Sequence, residues 1–463
     1  MSNTVRREDA GDGSGVPPPH VRPVRRAAAH LGELAERYGA RIIRWLVIGI
    51  ILISAIIGLL FITRGTAVRR VRGVGGDGTP IAATEPSFPL AIALLTGTPL
   101  VMGNRVELAL NGDGTYPRLW ADLRAAQRTI TVQMYYAGPG RVADSLGAVL
   151  GERARAGVAV YLLYDAFGSS LSDAYLERLR RAGVRVEAFR PLRFENLWVV
   201  QNRSHVRGIV IDGQVGWTGG FGIDDKWLGG GHKPDEWRET NVRFEGPAVL
   251  QLQAAFVAAW SEATGVLLAG RTAVNTHEGG VARAGLLYTA PTLGSTAAER
   301  YLALSIATAR ERLYVTNAYF APDDNFMALL MRAARRGVDV RLLVGGPLTD
   351  VRTAQLAAQA RYDSLLSAGV HIYEYQPSTL HAKTFVIDGV WASIGTMNFD
   401  NRSLALNDES TLMVLDSVAA KRLEAVFLDD LRDSKEIDLR TFRRRGWIQR
   451  VKEWAADQIT RVL

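Results

Sequence analysis

Two histidines stand in matched settings whose residue types suit phosphodiester chemistry. In the C-terminal copy, His381-Ala-Lys383 leads through Thr-Phe-Val-Ile to Asp388, and after six intervening residues comes Gly395-Thr396-Met397-Asn398. On a strand, His381 and Lys383 share a face because side chains alternate. An imidazole that can attack or protonate then sits beside a fixed cation and the donors of a Thr/Asn turn. A phosphodiester needs that set: a nucleophile, and positive groups to hold the nonbridging oxygens where charge develops.

The N-terminal copy is plainer. His205 and Asp212 keep the spacing, but Arg207 stands at the lysine position and Gly219, Gly220 and Gly222 form the turn. Arg207 keeps the charge with a forked geometry unlike a compact ammonium. Gly222 removes a side-chain donor, whereas the backbone N–H at Gly220 can still bind an anion. Phosphate contacts are therefore expected at Asn398, Thr396 and Gly220.

The elements around the motifs repeat as well. Residues 129–137 answer to 312–321, 153–169 to 332–346, 179–189 to 365–375, and 204–213 to 380–389, in the same order. Helical stretches alternate with short β-rich runs, the pattern of α/β layers. Gly157 and Gly337 fall between helix and strand, where helices end. The chain is thus expected to hold two similar α/β/α halves, 89–265 and 285–440, joined by a connector, 266–284.

Ahead of them, residues 1–41 form a polar Gly-, Pro- and Arg-rich arm, expected to be disordered apart from a helical stretch at 25–41. The uncharged run from Trp45 to Ile62 has the length that crosses a bilayer, so a single transmembrane helix is expected at 42–63, followed by a linker at 64–88. Arginines flank both sides of it, so the membrane face stays open. At the other end, residues 441–463 read as a basic amphipathic helix with Trp447, Val451, Trp454, Ala455 and Val462 on one stripe. That helix suits anionic lipid or packing on the catalytic domain. With no cysteine, thiolate chemistry and disulfides are excluded. The net charge of +8 admits lipid or nucleic acid. No platform of stacking aromatics and basic residues speaks for nucleic acid.

These motifs resemble those of the phospholipase D superfamily, and the stretches 160–169, 235–249, 317–324 and 398–410 resemble its bacterial cardiolipin synthase branch. The resemblance covers roughly residues 89–455. It implies two halves packed around one shared active site where His205 and His381 meet. One would form a covalent phosphohistidine and the other would serve as general acid, with no metal or other cofactor. The commonest assignment in the family makes His205 the nucleophile. The family pattern also puts an acidic residue some thirty positions after each motif histidine to orient the imidazole. Glu239 lies 34 after His205 and Glu409 lies 28 after His381. Asp212 and Asp388 are implied to support the motif without touching substrate.

The expected function is a phosphatidyltransferase at the bacterial cell membrane. It would turn two phosphatidylglycerol molecules into cardiolipin and glycerol. The alternatives are a phospholipase D-type hydrolase, a phosphodiesterase or nuclease, and a lipid-binding relative impaired by Arg207 and Gly222.

Overall fold

The computed structural model describes residues 38–39, 41–58, 81–191, 202–270, 272, 277–290 and 297–462. Two compact units divide the chain at residues 63 and 64.

In the first unit, Arg41–Gly58 is helical, with a mean hydropathy of 2.1 and none of it buried. Among the described residues of the unit, nothing covers those isoleucines and leucines. This is one helix long and apolar enough to cross a membrane. Most of the N-terminal arm, the last residues of the apolar run and residues 64–80 of the linker lie outside the described residues.

The second unit is built on a fifteen-stranded sheet among the described residues. From one edge run Arg185–Phe189, Ala159–Asp165, Thr129–Met134, Gly208–Ile211, Val215–Gly219, Thr240–Glu245 and Val101–Leu110. Next come Ala282–Thr289, Glu409–Leu415, Trp391–Gly395, Lys383–Ile387, Arg312–Asn317, Asp339–Gly345 and His371–Tyr375, with Ser434–Glu436 closing the far edge. The second seven strands mirror the first seven. An antiparallel, bulged pairing of Val101–Leu110 with Ala282–Thr289 joins the two sets.

Each set has three parallel strands, and parallel neighbours require a crossover, here a helix. Arg141–Arg155 turns Val142, Leu146, Val149 and Leu150 inward, and Asp324–Arg335 does so with Phe326, Met327, Leu329 and Leu330. Asp323 caps the latter helix, accepting from the N–H groups of Asn325 and Phe326 at 2.9 Å. Gly157 and Gly337 end these helices at φ +89° and +91°.

Each set has its own apolar core, and a third cluster joins them. It mixes Val210, Val242, Phe244 and Leu252 with Leu286, Tyr314, Leu343 and Leu412. Burial of that shared surface is what holds one set against the other.

The C-terminal helix, Trp447–Val462, packs on Arg352–Ser367, with Arg361 Nη2 2.7 Å from Asp457 and Arg445 paired to Glu453 at 2.8 Å. Ala456 faces inward, whereas Trp447, Ile448, Val451 and Trp454 are exposed. One side of the helix thus packs on the domain, as one of the two readings expects, and an apolar stripe stays open. The side chain of Val462 lies outside the described residues.

Candidate active site

The motif aspartates show how each histidine is delivered. Asp212 and Asp388 both stand at a hairpin turn in the left-handed region, at φ +53° and +51°. Asp212 accepts from the N–H groups of Gln127, Arg128 and Thr129 at 2.7 to 2.8 Å. Asp388 accepts from Arg310, Glu311 and Arg312 at 2.9 Å. Each carboxylate thus ties its hairpin to the start of the neighbouring strand.

The histidines themselves are hung across the boundary between the two sets. His205 N donates to the Asp408 carbonyl at 2.8 Å, and His381 N donates to the Arg238 carbonyl at 2.8 Å. Thr379–Leu380 runs parallel to Trp237–Arg238, and a single parallel bridge joins Ser204 to Asp408. The residue after Arg238 is Glu239, and the residue after Asp408 is Glu409. Each glutamate therefore meets the histidine of the other half. Glu409 lies 3.0 and 3.1 Å from His205 Nδ1, and Glu239 Oε2 lies 2.6 Å from His381 Nδ1. Counting thirty positions from each histidine finds the right carboxylates but the opposite pairing, because the strand contact crosses between halves.

The two carboxyls differ in their surroundings. Glu409 also accepts from the Thr396 hydroxyl and from Asn407 Nδ2. Donors converge on it, so the His205 Nδ1–H donates too and Nε2 keeps its lone pair. Burial, reinforced by Arg207, holds the His205 imidazole below its ordinary value against the pull of Glu409. Among the described residues, Glu239 accepts only from the Thr240 N–H, at 3.0 Å, besides the imidazole. Burial pushes Glu239 up to about 7, while burial and Lys383 hold His381 well below the usual imidazole range. The Glu239–His381 pair consequently gains and loses a proton near neutral pH.

Both imidazoles line one cavity of about 270 Å³, together with Arg207, Asn398, Tyr135, Tyr136, Trp227, Trp237, Tyr319, Asp350 and Arg402 among others. Arg207 is fully buried; one nitrogen donates to the Gly220 carbonyl and another lies 3.4 Å from His205 Nε2. Asn398 Oδ1 is buried and has no hydrogen-bond partner among the described residues.

Three expected positions are placed differently. The Thr396 hydroxyl is turned onto Glu409 and is fully buried, so it serves the carboxylate and leaves no contact for a phosphate. Lys383 lies behind the cavity: its ammonium donates to the His381 carbonyl, and burial brings it down to about 7. Gly220 also sits behind, because a Cβ there would come within 2.2 Å of Glu239 Oε2. Gly222 is explained in the same way, since a Cβ would meet the Trp227 ring at 2.5 Å. The glycines of the first copy therefore make room for a carboxylate and an indole.

Several cavity residues had weak signals in the sequence. Trp237 and Tyr319 fall inside the stretches 235–249 and 317–324, but nothing marked them individually, and nothing marked Asp350. Three rings pack on His381: Trp237 at 4.8 Å, Trp227 at 5.5 Å and Tyr319 at 6.1 Å between centroids. The apolar and basic insert before His205 lies outside the described residues from 192 to 201.

A phosphoryl group passed from one oxygen to another through a histidine is the chemistry that two imidazoles facing one cavity can share, one attacking and one moving a proton. On a duplicated α/β frame, that defines a two-histidine transferase of phosphodiesters. The chain belongs to the phospholipase D-like cardiolipin synthase family: the family model described as "Cardiolipin synthase, PLD-like domain" matches residues 119–260 and 302–431. It is 36% identical over 363 residues to a cardiolipin synthase of Geobacillus kaustophilus, covering 77% of this chain and 72% of that one. It is 34% identical over 359 residues to cardiolipin synthase A of Pseudomonas aeruginosa, covering 76% and 73%. Among solved structures, a phosphatidylserine synthase of Haemophilus influenzae aligns over 81% of this chain and 99% of its own, with a TM-score of 0.62 at 13% identity, a likeness of fold. The chain is a phosphatidyltransferase of the phospholipase D superfamily.

Proposed function

We propose that the protein condenses two phosphatidylglycerol molecules into cardiolipin and glycerol by a ping-pong route through His205. In the first step, the His205 Nε2 lone pair forms a bond to phosphorus. The phosphorus–oxygen bond to glycerol breaks, and that oxygen takes the proton of His381. In the second, a hydroxyl of another phosphatidylglycerol gives its proton back to His381 and displaces His205. Arg207 and Asn398 would hold the nonbridging oxygens, Lys383 would add charge from behind, and Glu409 and Glu239 would orient the rings. No step uses a metal or cofactor.

The observation that carries this assignment is the difference in hydrogen bonding: donors surround Glu409 beside His205, whereas the buried Glu239 beside His381 accepts only from the Thr240 N–H among the described residues and is pushed up by burial. Arg207 speaks for a working first copy, because its guanidinium stands against the attacking nitrogen. The apolar helix Arg41–Gly58 and the exposed stripe of the C-terminal helix support a single-pass protein lying against anionic lipid. Holding the site at the bilayer raises the effective concentration of lipid substrate.

The test is a product assay on phosphatidylglycerol vesicles. Glycerol and cardiolipin should appear in equal amounts with wild type, and His381→Ala should lose roughly 10²- to 10⁴-fold in rate. Phosphatidate in place of cardiolipin would make the protein a hydrolase, and full activity in His381→Ala would refute the mechanism.

A further inference from the structure

Directly after the Gly219–Gly222 turn, Asp225–Trp227 makes one turn of tight helix. Its neighbouring acids are held by other groups than the Lys226 ammonium. Asp224 accepts from the Lys226 N–H at 3.0 Å, and Asp225 accepts from the Val142 N–H and pairs with Arg141. The Lys226 ammonium has no hydrogen bond or ion pair among the described residues. It stands instead inside three aromatic rings, 3.5 Å from the centroid of Tyr136, 3.9 Å from Trp237 and 4.7 Å from Trp227.

All three rings line the cavity of the two histidines, and the two indoles pack on the His381 ring. The box therefore adjoins the imidazole assigned to protonate the head-group oxygen. Aromatic rings gathered around a cation are also how quaternary ammonium ligands are held. Here the chain fills such a box with its own cation. Asp350 lines the same cavity, is positioned by the Tyr319 hydroxyl at 2.8 to 2.9 Å, and its charge acts on Lys226. A carboxylate there would repel a phosphate but accept from hydroxyls.

We propose that Lys226 sets head-group selectivity. Its ammonium, held among Tyr136, Trp227 and Trp237 beside His381, donates to the hydroxyls of uncharged polyol head groups and shuts quaternary ammonium head groups out of the box. This rests on the cavity being where the lipid head group lies.

The test titrates the full-length protein in detergent with choline chloride at neutral pH and follows tryptophan emission, since two of the three rings are indoles. Lys226→Ala should show a saturable change, and wild type and Lys226→Arg should show none over the same range. In mixed micelles, choline release from phosphatidylcholine relative to glycerol release from phosphatidylglycerol should rise at least about tenfold in Lys226→Ala. In that reaction the His205–phosphorus bond forms, the phosphorus–oxygen bond to choline breaks, and the choline oxygen takes the His381 proton. Lys226→Ser empties the box with a different side chain, in case the alanine variant does not fold. Choline binding by wild type as tight as by the emptied variants would overturn the proposal, as would an unchanged ratio in a folded variant. If wild type makes no cardiolipin, the phosphatidylglycerol assignment fails, while the choline titration still decides the role of Lys226.

Discussion

The Glu239–His381 pair and Lys383 both change protonation near pH 7, and their effects on transfer have the same sign. In the proposed mechanism the pair keeps, below that pH, the proton that the leaving oxygen needs, and Lys383 keeps its charge behind the cavity. Above it both are lost, so the rate should fall as pH rises through about 7. Two variants separate the contributions. Glu239→Gln removes that proton, so kcat should fall by about 10² and the alkaline limb tied to the pair should vanish from the pH–rate profile. Lys383→Arg cannot lose its charge in that range, so its limb should reflect Glu239 alone. Arg207→Lys gives up the fork between the Gly220 carbonyl and His205, so its rate should fall; a gain would show that the native first copy is impaired.

At the level of elements, the hairpin turns and the glycine turn carry the site. Replacing Asp388 by Ala leaves three backbone N–H groups without their acceptor, at a cost of about 1–3 kcal/mol that should appear as a lower midpoint in thermal unfolding. Gly222→Asn, which would complete the motif on paper, should destabilise by about 1–3 kcal/mol instead, because the Trp227 ring occupies the space. These elements show what the sequence could and could not convey. The repeats, the motif histidines, the supporting aspartates and the two glutamates were legible, since each follows from spacing within one half. The exchange of glutamates between halves was not, because it follows from the contacts at Asp408 and Arg238, far apart in sequence. Thr396 was misread for a related reason: its hydroxyl could serve a phosphate or a carboxylate, and only the fold brings Glu409 to it. Gly222 looked like a loss until Trp227, five residues on, was found in its place.

Across the whole molecule, the two halves are clasped by reciprocal ion pairs next to the exchanged glutamates. Arg238 makes two 2.8 Å bonds to Asp430, and Arg190 pairs with Asp408 at 3.2 Å and with Glu262. The sign of charge is reversed between the copies, so neither pair shows in a comparison of repeats. Removing one partner strands a buried charge, so Asp430→Asn should destabilise by about 3–5 kcal/mol in denaturant unfolding. Activity should be lost with it, since the same strand contact hangs His381. The claim on which all of this turns is that His205 carries the phosphatidyl group and His381 moves the proton. It is tested most directly by giving His381→Ala protein a phosphatidyl donor whose leaving group is nitrophenolate, which departs without a proton. The account predicts a burst of one nitrophenolate per chain and a phosphatidyl adduct that peptide mapping places on His205. No burst with this donor, or a burst with the adduct on any other residue, would contradict it.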